Sequence, residues 1–367
     1  MDEKTKDLLL LQSVPGIGNQ RIRQLVAHFG SPREALQASF AKLLQVDGVD
    51  KKLAGKILHD RELRFAEHQL KFAEKHRASI LTFWNAHYPE SLKRTFDPPV
   101  LLFQKGEWLP GDSISIAVVG TRSPSAYGTQ VTEQLTRELV KTGFTIISGL
   151  ARGIDTIAHR IALKTGGRTI AVLGSGLDLI YPAENKKLAE EIETSGAILT
   201  EYPLGSKPDA ANFPKRNRII SGLALGTLVV EAGEKSGALI TANYALEQGR
   251  EVFAVPGATT SLRSVGTNRL IKEGAKLVQN VNDILQELDS KLRSLRRLET
   301  TSLTATPKNL SEDEKKVWDI LTDEPQHIDT LSQRLGMASF QVVSLLLTLE
   351  LKDAVKQLTG AYFIRAL

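Results

Sequence analysis

Between residues 113 and 288 the chain repeats one alternation: a short run of apolar β-formers, then a stretch with helical apolar spacing. The apolar runs fall at 114–119, 144–148, 169–173, 197–200, 227–231, 252–255 and 276–278. Helical patterns occupy nearly every gap, for example 129–141, 154–164 and 238–248. Strands made of unbroken apolar runs are buried on both faces, and parallel pairing requires a crossover such as a helix. The expected fold is therefore α/β, a doubly wound, Rossmann-like, mainly parallel sheet with right-handed crossovers.

Less regular sequence flanks this block. Residues 1–75 read as a helical domain in which two turns, Pro15-Gly16-Ile17-Gly18 and Val46-Asp47-Gly48-Val49, each precede an amphipathic helix. Such a weak repeat resembles a helix-hairpin-helix (SAM-like) pair. Amides at the second helix of a hairpin can hold a DNA phosphate without reading sequence, and the two turns can equally serve packing. In the second turn, Asp47 and Asp50 stand where phosphate would approach. Residues 76–112 hold two extended stretches, 79–84 and 100–103, separated by Pro-rich segments, and read as a connector packed on the central domain at 113–288. Residues 289–310, rich in Ser, Thr and basic side chains, read as a linker. Residues 311–367 open on the capping box Ser311–Glu314, followed by three amphipathic helices and a β-hairpin, the winged-helix order.

Composition narrows the chemistry. The 367 residues include no Cys, which excludes disulfides, thiolate catalysis, iron–sulfur clusters and Cys-based zinc sites. No signal peptide and no apolar run near the ~18 residues of a spanning helix are seen, so the expected location is cytoplasmic, away from membranes. A net charge of +5 hints at nucleic acid, but it comes from 47 basic against 42 acidic side chains. By region the net is +4 over residues 1–110, +1 over 111–288, +3 over 289–310 and −3 over 311–367. Any nucleic-acid site must be a local cluster.

In doubly wound folds ligands bind outside the carboxyl ends of the strands. Those positions here carry Gly120-Thr121-Arg122-Ser123, Gly149-Leu150-Ala151-Arg152-Gly153, Gly174-Ser175-Gly176 and Gly233-Glu234-Lys235-Ser236-Gly237. Glycine permits close backbone approach and each following helix offers unpaired amides, so the four loops describe an anion-binding rim. No complete G-x-G-x-x-G and no P-loop occur, the seven His are scattered without H-E-x-x-H, and no G-x-S-x-G elbow is present. No catalytic residue, metal ligand or cofactor is therefore expected. His159 reads as a packing residue that hydrogen-bonds a loop, and Glu231 as either a general base for a glycosidic bond or a cap for loop amides. The sharpest cluster is Phe213-Pro214-Lys215-Arg216-Asn217-Arg218, three cations beside an aromatic at a helix start. Arg and Lys hold phosphates while Phe stacks an unpaired base.

These motifs, in order, resemble the bacterial DNA-processing protein A family, also called DprA or Smf. The matching runs are Val119–Arg122, Ser148–Asp155, Ala171–Asp178 with Tyr181-Pro182, Phe213–Gly222, Val230–Ala232, Ser236–Ala242, Gly249–Val252, Val255–Gly257 and Gly266–Ala275. The resemblance implies a non-enzymatic protein that binds and protects incoming single-stranded DNA. It also implies help in loading the RecA recombinase during natural transformation, and homodimerisation through the α/β domain. By position, Arg122, Phe213, Lys215, Arg216 and Arg218 match the family's DNA pocket. Ser123, Gly149, Arg152, Gly153, Asn217 and, more loosely, Lys207 join them, while Asn268, Leu270 and Ile271 stand as dimer-interface candidates. The acidic C-terminal domain is expected to contact protein rather than read DNA. Two other readings remain: a nucleoside monophosphate phosphoribohydrolase, although the stretch 225–231 lacks the P-G-G-x-G-T run such enzymes carry, and a partner-binding scaffold.

Overall fold

The computed structural model describes residues 3–302, 310–322, 325–352, 354–358 and 361–365, and the chain divides into two compact units at Asp289/Ser290. The first unit opens with six helices, α1 (Glu3–Gln12), α2 (Asn19–Phe29), α3 (Pro32–Gln37), α4 (Phe40–Leu43), α5 (Lys51–His59) and α6 (Leu63–Lys75). Two hairpins are built in: α1 and α2 flank one glycine turn, α4 and α5 the other. Gly16 at φ +88° and Gly48 at φ +75° occupy matching left-handed positions, which is why both turns carry glycine there. The hairpins brace each other, because Arg21 Nε donates to the Gly48 carbonyl at 2.8 Å and Lys56 Nζ to the Pro15 carbonyl at 3.0 Å. Asp50 caps α5 by accepting from the Leu53 amide at 2.7 Å, whereas Gly18 begins α2 without a side-chain cap. The acidic residue that sets the second turn apart thus supplies the negative group its helix start favours.

The sheet that follows has nine strands. β1 (Ser79–Thr82), the short helix α7 (Glu90–Lys93) and β2 (Leu101–Gly106) precede the alternating block: β3 (Ser115–Val119), α8 (Ala126–Lys141), β4 (Thr145–Ser148), α9 (Ile154–Lys164), β5 (Thr169–Val172), α10 (Lys186–Ser195), β6 (Ala197–Thr200), α11 (Asn212–Leu223), β7 (Gly226–Val229), α12 (Gly237–Glu247), β8 (Glu251–Ala254), α13 (Val265–Lys272) and β9 (Lys276–Leu277). The order across the sheet is β1-β2-β6-β5-β4-β3-β7-β8-β9. All pairs from β6 to β9 are parallel, with Ile116 opposite Ile146 on one side and Gly226 on the other. Chain order runs outward from β3 to β6, then restarts at β7 on the opposite side of β3, so the topological switch lies between β3 and β7.

Residues 76–112 are not a connector laid on this domain. β1 pairs with β2 and β2 with β6, both antiparallel, so the segment extends the sheet by two strands. Its Pro-rich loops obscured the pairing, which needs only short strands at a sheet edge. The helical hairpins are continuous with this end of the molecule: one buried cluster runs from Leu8, Leu25 and Ile57 to Leu101 and Phe103 of β2 and Ile192 of α10.

The expected linker is also partly helical. α14 (Val281–Ser302) runs through 289–302. Ile284, Leu288 and Leu292 are buried at four-residue spacing, a periodicity that exposed Ser290 and Arg293 do not interrupt. The remainder, 303–309, lies outside the described residues. In the second unit, α15 (Glu312–Ile320), α16 (Ile328–Leu335) and α17 (Ser339–Leu351) surround Val317, Leu331, Leu346 and Phe363. The C-terminal hairpin of β11 (Val355–Leu358) and β12 (Tyr362–Arg365) gains a third strand, β10 (Gln326–His327). Ser311 and Glu314 form the expected capping box, and Lys352 clasps Glu314 at 2.7 Å.

Candidate nucleic-acid interface

A cleft of about 790 Å³ opens at the switch point, against the carboxyl ends of β3 and β7. Its walls are the 119–122 loop, the 233–238 loop and the first turns of α11, with Tyr181 and Pro208 at the side. Phe213 lines it. Arg122 and Arg216 hold their guanidinium carbons 6.0 and 5.8 Å from its ring centre, and Tyr181 packs beside it at 5.6 Å between rings.

Two of the rim glycines, Gly149 and Gly174, make room for these side chains, whereas Gly233 and Gly237 face the cleft with no side chain against them. A Cβ on Gly174 would come within 2.9 Å of the Phe213 ring, and one on Gly149 within 2.7 Å of the Arg216 guanidinium. Gly153, at φ +74°, lies against the Thr121 and Arg122 backbone and joins two rim loops. Arg216 is buried, and donates to the carbonyls of Gly149 (2.8 Å) and Val172. Burial lowers its pKa to about 10, with nearby Asp155 opposing the change. Asp155, also buried, accepts from the Gly149 amide at 3.1 Å; burial raises its pKa while Arg216 and the loop amides pull it down. Together they clamp the 149–153 loop, in which buried Leu150 takes a left-handed φ of +55°.

The sequence cluster is divided by its helix. Phe213, Arg216 and Asn217 line the cleft, Asn217 bonding the Gly237 carbonyl at 3.4 Å, but Lys215 and Arg218 point to the other side of α11. Arg218 ion-pairs with Glu201 and stands 3.7 Å from Asp97, so it is no part of the cleft assumed for it. Arg152 is exposed yet held by both carboxylate oxygens of Glu184, at 2.9 and 3.0 Å. Lys207 sits exposed on the 201–211 loop, and Ser123 is exposed beside Arg122. Two rim cations escaped the sequence reading. Lys235 lies within a glycine run already identified as rim, whereas Arg263, which donates to the Ser123 carbonyl at 3.1 Å, has no local signal.

Glu231 resolves as a cap. Its carboxylate accepts from the Ser125 amide at 2.9 Å and hydroxyl at 2.5 Å, at the start of α8. His159 is buried and meets Thr169 of β5 rather than a loop, at 2.7 Å. Of the dimer candidates, Leu270 is only 3 % exposed because it belongs to the core under α13, so it cannot contact another chain. Ile271 is half-buried, and the Asn268 amide is bonded on both sides to Gly257.

Comparison with known proteins adds three family matches. A model described as DNA recombination-mediator protein A matches residues 79–289, the whole sheet including its two antiparallel strands. A DprA winged helix domain matches 301–361, and a SAM-like helix-hairpin-helix tandem matches 8–63. The Smf protein of Synechocystis sp. is 36% identical over 97% of this chain and 98% of its own length. That of Escherichia coli is 37% identical over 98% and 95%. Among solved structures, DNA processing protein A from Streptococcus pneumoniae superposes with a TM-score of 0.70 at 35% identity, covering 78% of this chain and 99% of its own. A structure on single-stranded DNA binding by DNA processing protein A from Helicobacter pylori gives 0.53 at 33% identity, covering 59% and 97%.

Proposed function

We propose, from the premise that the chain belongs to the DNA recombination-mediator protein A (DprA/Smf) family, that its switch-point cleft binds single-stranded DNA. The observation that carries this reading is Phe213 held between two arginines in an open cleft. A flat apolar ring offers stacking to a base, and the exposed Arg122 and Lys235 offer phosphate contacts at the rim. Arg216 acts from beneath as a positioning residue. A base can reach Phe213 only when unstacked from its neighbours, so a single strand should bind far better than a duplex of the same sequence. Competition of a labelled oligonucleotide against both forms tests this, and equal competition by duplex refutes it.

The protein binds rather than reacts in this reading: Glu231, the residue a glycosidic hydrolase would need, is engaged as a helix cap. Its further roles are to protect incoming strands in the cytoplasm and help load RecA in transformation and recombination. It acts as a homodimer through the α/β domain, with Asn268 and Ile271 near the contact. The C-terminal unit contacts protein: α17 contains no basic residue and exposes Phe340, Val343 and Leu347 along one side. Removing residues 311–367 should leave single-strand affinity intact, and a large loss would contradict that division of roles.

A further inference from the structure

A second cleft, of about 550 Å³, lies on the other side of α11, at the seam between the first helical hairpin and the sheet. Phe96, Tyr202 and Tyr244 contribute aromatic walls. Phe96 is 90 % exposed, so its ring adds nothing to a core and is available to stack. Two of the cleft's carboxylates are paired: Arg218 pairs with Glu201, and Asp97 lies 3.7 Å from Arg218 and 3.8 Å from Arg23. Two guanidiniums thereby offset those two carboxylates, and Lys215 offsets the third carboxylate of the lining, exposed Glu247. At the mouth stands exposed Lys215, and Gly18 brings the start of α2, where no cap side chain competes for the first amides.

The placement of Lys215 joins the two clefts. It follows Phe213 by two residues and precedes Arg216 by one, on the N-terminal turn of α11, and only the width of that helix, about 10 Å, separates the sites. The geometry points to a second subsite for the same DNA strand. On leaving the first cleft the strand crosses the first turn of α11, sets a phosphate against Lys215 and the α2 amides, and stacks a base on Phe96. This rests on single-strand binding in the first cleft and extends it to the helical hairpin, whose first turn becomes a wall of the DNA path.

The test compares the full-length protein with Phe96→Ala and Arg122→Ala, using fluorescence anisotropy on labelled strands of about 4 and about 16 nucleotides, the range of sites in single-strand grooves. Phe96→Ala should weaken the long strand by about 5- to 150-fold, the equivalent of one lost stack, and leave the short strand unchanged; Phe96→Trp should restore the long-strand affinity. An unchanged long strand, or equal losses at both lengths, overturns the second subsite. The exposed position of Phe96 means that truncation removes no buried contact. Arg122→Ala reads the first cleft separately and should weaken both lengths. If it weakens neither, the first-cleft assignment fails, whatever Phe96→Ala does.

Discussion

Arg216 and Arg218 stand two positions apart on α11 and face opposite sides of it. Consecutive helical residues are turned by about 100°, so a run of cations cannot all face one ligand. Positions 213, 216, 217 and 220 line the first cleft, and 215 and 218 the second. The helical period is legible in the sequence and separates them, because adjacency along a helix is not adjacency in space. Arg218→Ala should therefore act first on stability. It leaves largely buried Glu201 without its partner, a loss of about 3–5 kcal/mol, seen as a lower urea midpoint. A midpoint equal to wild type would show that Arg218 does not hold this network.

His159 gives a pH signature. Thr169 Oγ1 donates to the Ile146 carbonyl at 2.8 Å, so it accepts from His159 Nδ1–H, leaving Nε2 buried with no partner. Burial lowers the His159 pKa to about 3, with Arg216 adding to the effect. Below an unfolded pKa of about 6.5 the unfolded chain takes up a proton that the folded one refuses, so folding stability falls as pH drops towards 3. The slope is about 1.4 kcal/mol per pH unit. In urea titrations at several pH values, His159→Gln should lack this component relative to wild type. Parallel pH profiles would contradict the assignment.

At the scale of elements, the parallel sheet and the winged-helix order were legible because unbroken apolar strands and capping boxes are local signals. The two extended stretches at 79–84 and 100–103 were legible too, but their antiparallel pairing into the sheet was not, since pairing of β2 with β6 joins segments about ninety residues apart and leaves no mark in either. Nor was the way one element holds another. Buried Gln69 of α6 donates to the Leu204 carbonyl at 3.0 Å and accepts from its amide at 2.8 Å. This anchors the base of the 201–211 loop, which reaches the cleft at Pro208 and Ala210. Gln69→Ala leaves two buried backbone groups unpaired, each worth about 1–3 kcal/mol. Hydrogen exchange should then speed up through 203–211, with a modest drop in DNA affinity. Unchanged exchange there would mean that the helical domain does not hold the loop.

At the scale of the whole molecule, a net charge of +5 says little about the cleft, and two of the candidate cations, Arg152 and Arg218, are already engaged by carboxylates. Exposed Arg122 lies by the aromatic ring and exposed Lys235 lines the same cleft, at the point where the sheet reverses its order. The rim glycines serve two ends: Gly174 and Gly149 leave space that Phe213 and Arg216 fill, whereas Gly233 and Gly237 line the cleft with no side chain against them. Two compact units divide the chain, and the cleft lies wholly within the first. The most direct measurement is a titration of a short labelled single strand with wild type and Arg122→Ala at a series of salt concentrations. The loss of one phosphate contact should weaken binding about 10- to 100-fold and flatten the salt dependence by about 0.7 in slope, with the thermal midpoint unchanged. An Arg122→Ala protein with wild-type affinity and slope would contradict the cleft as the DNA site.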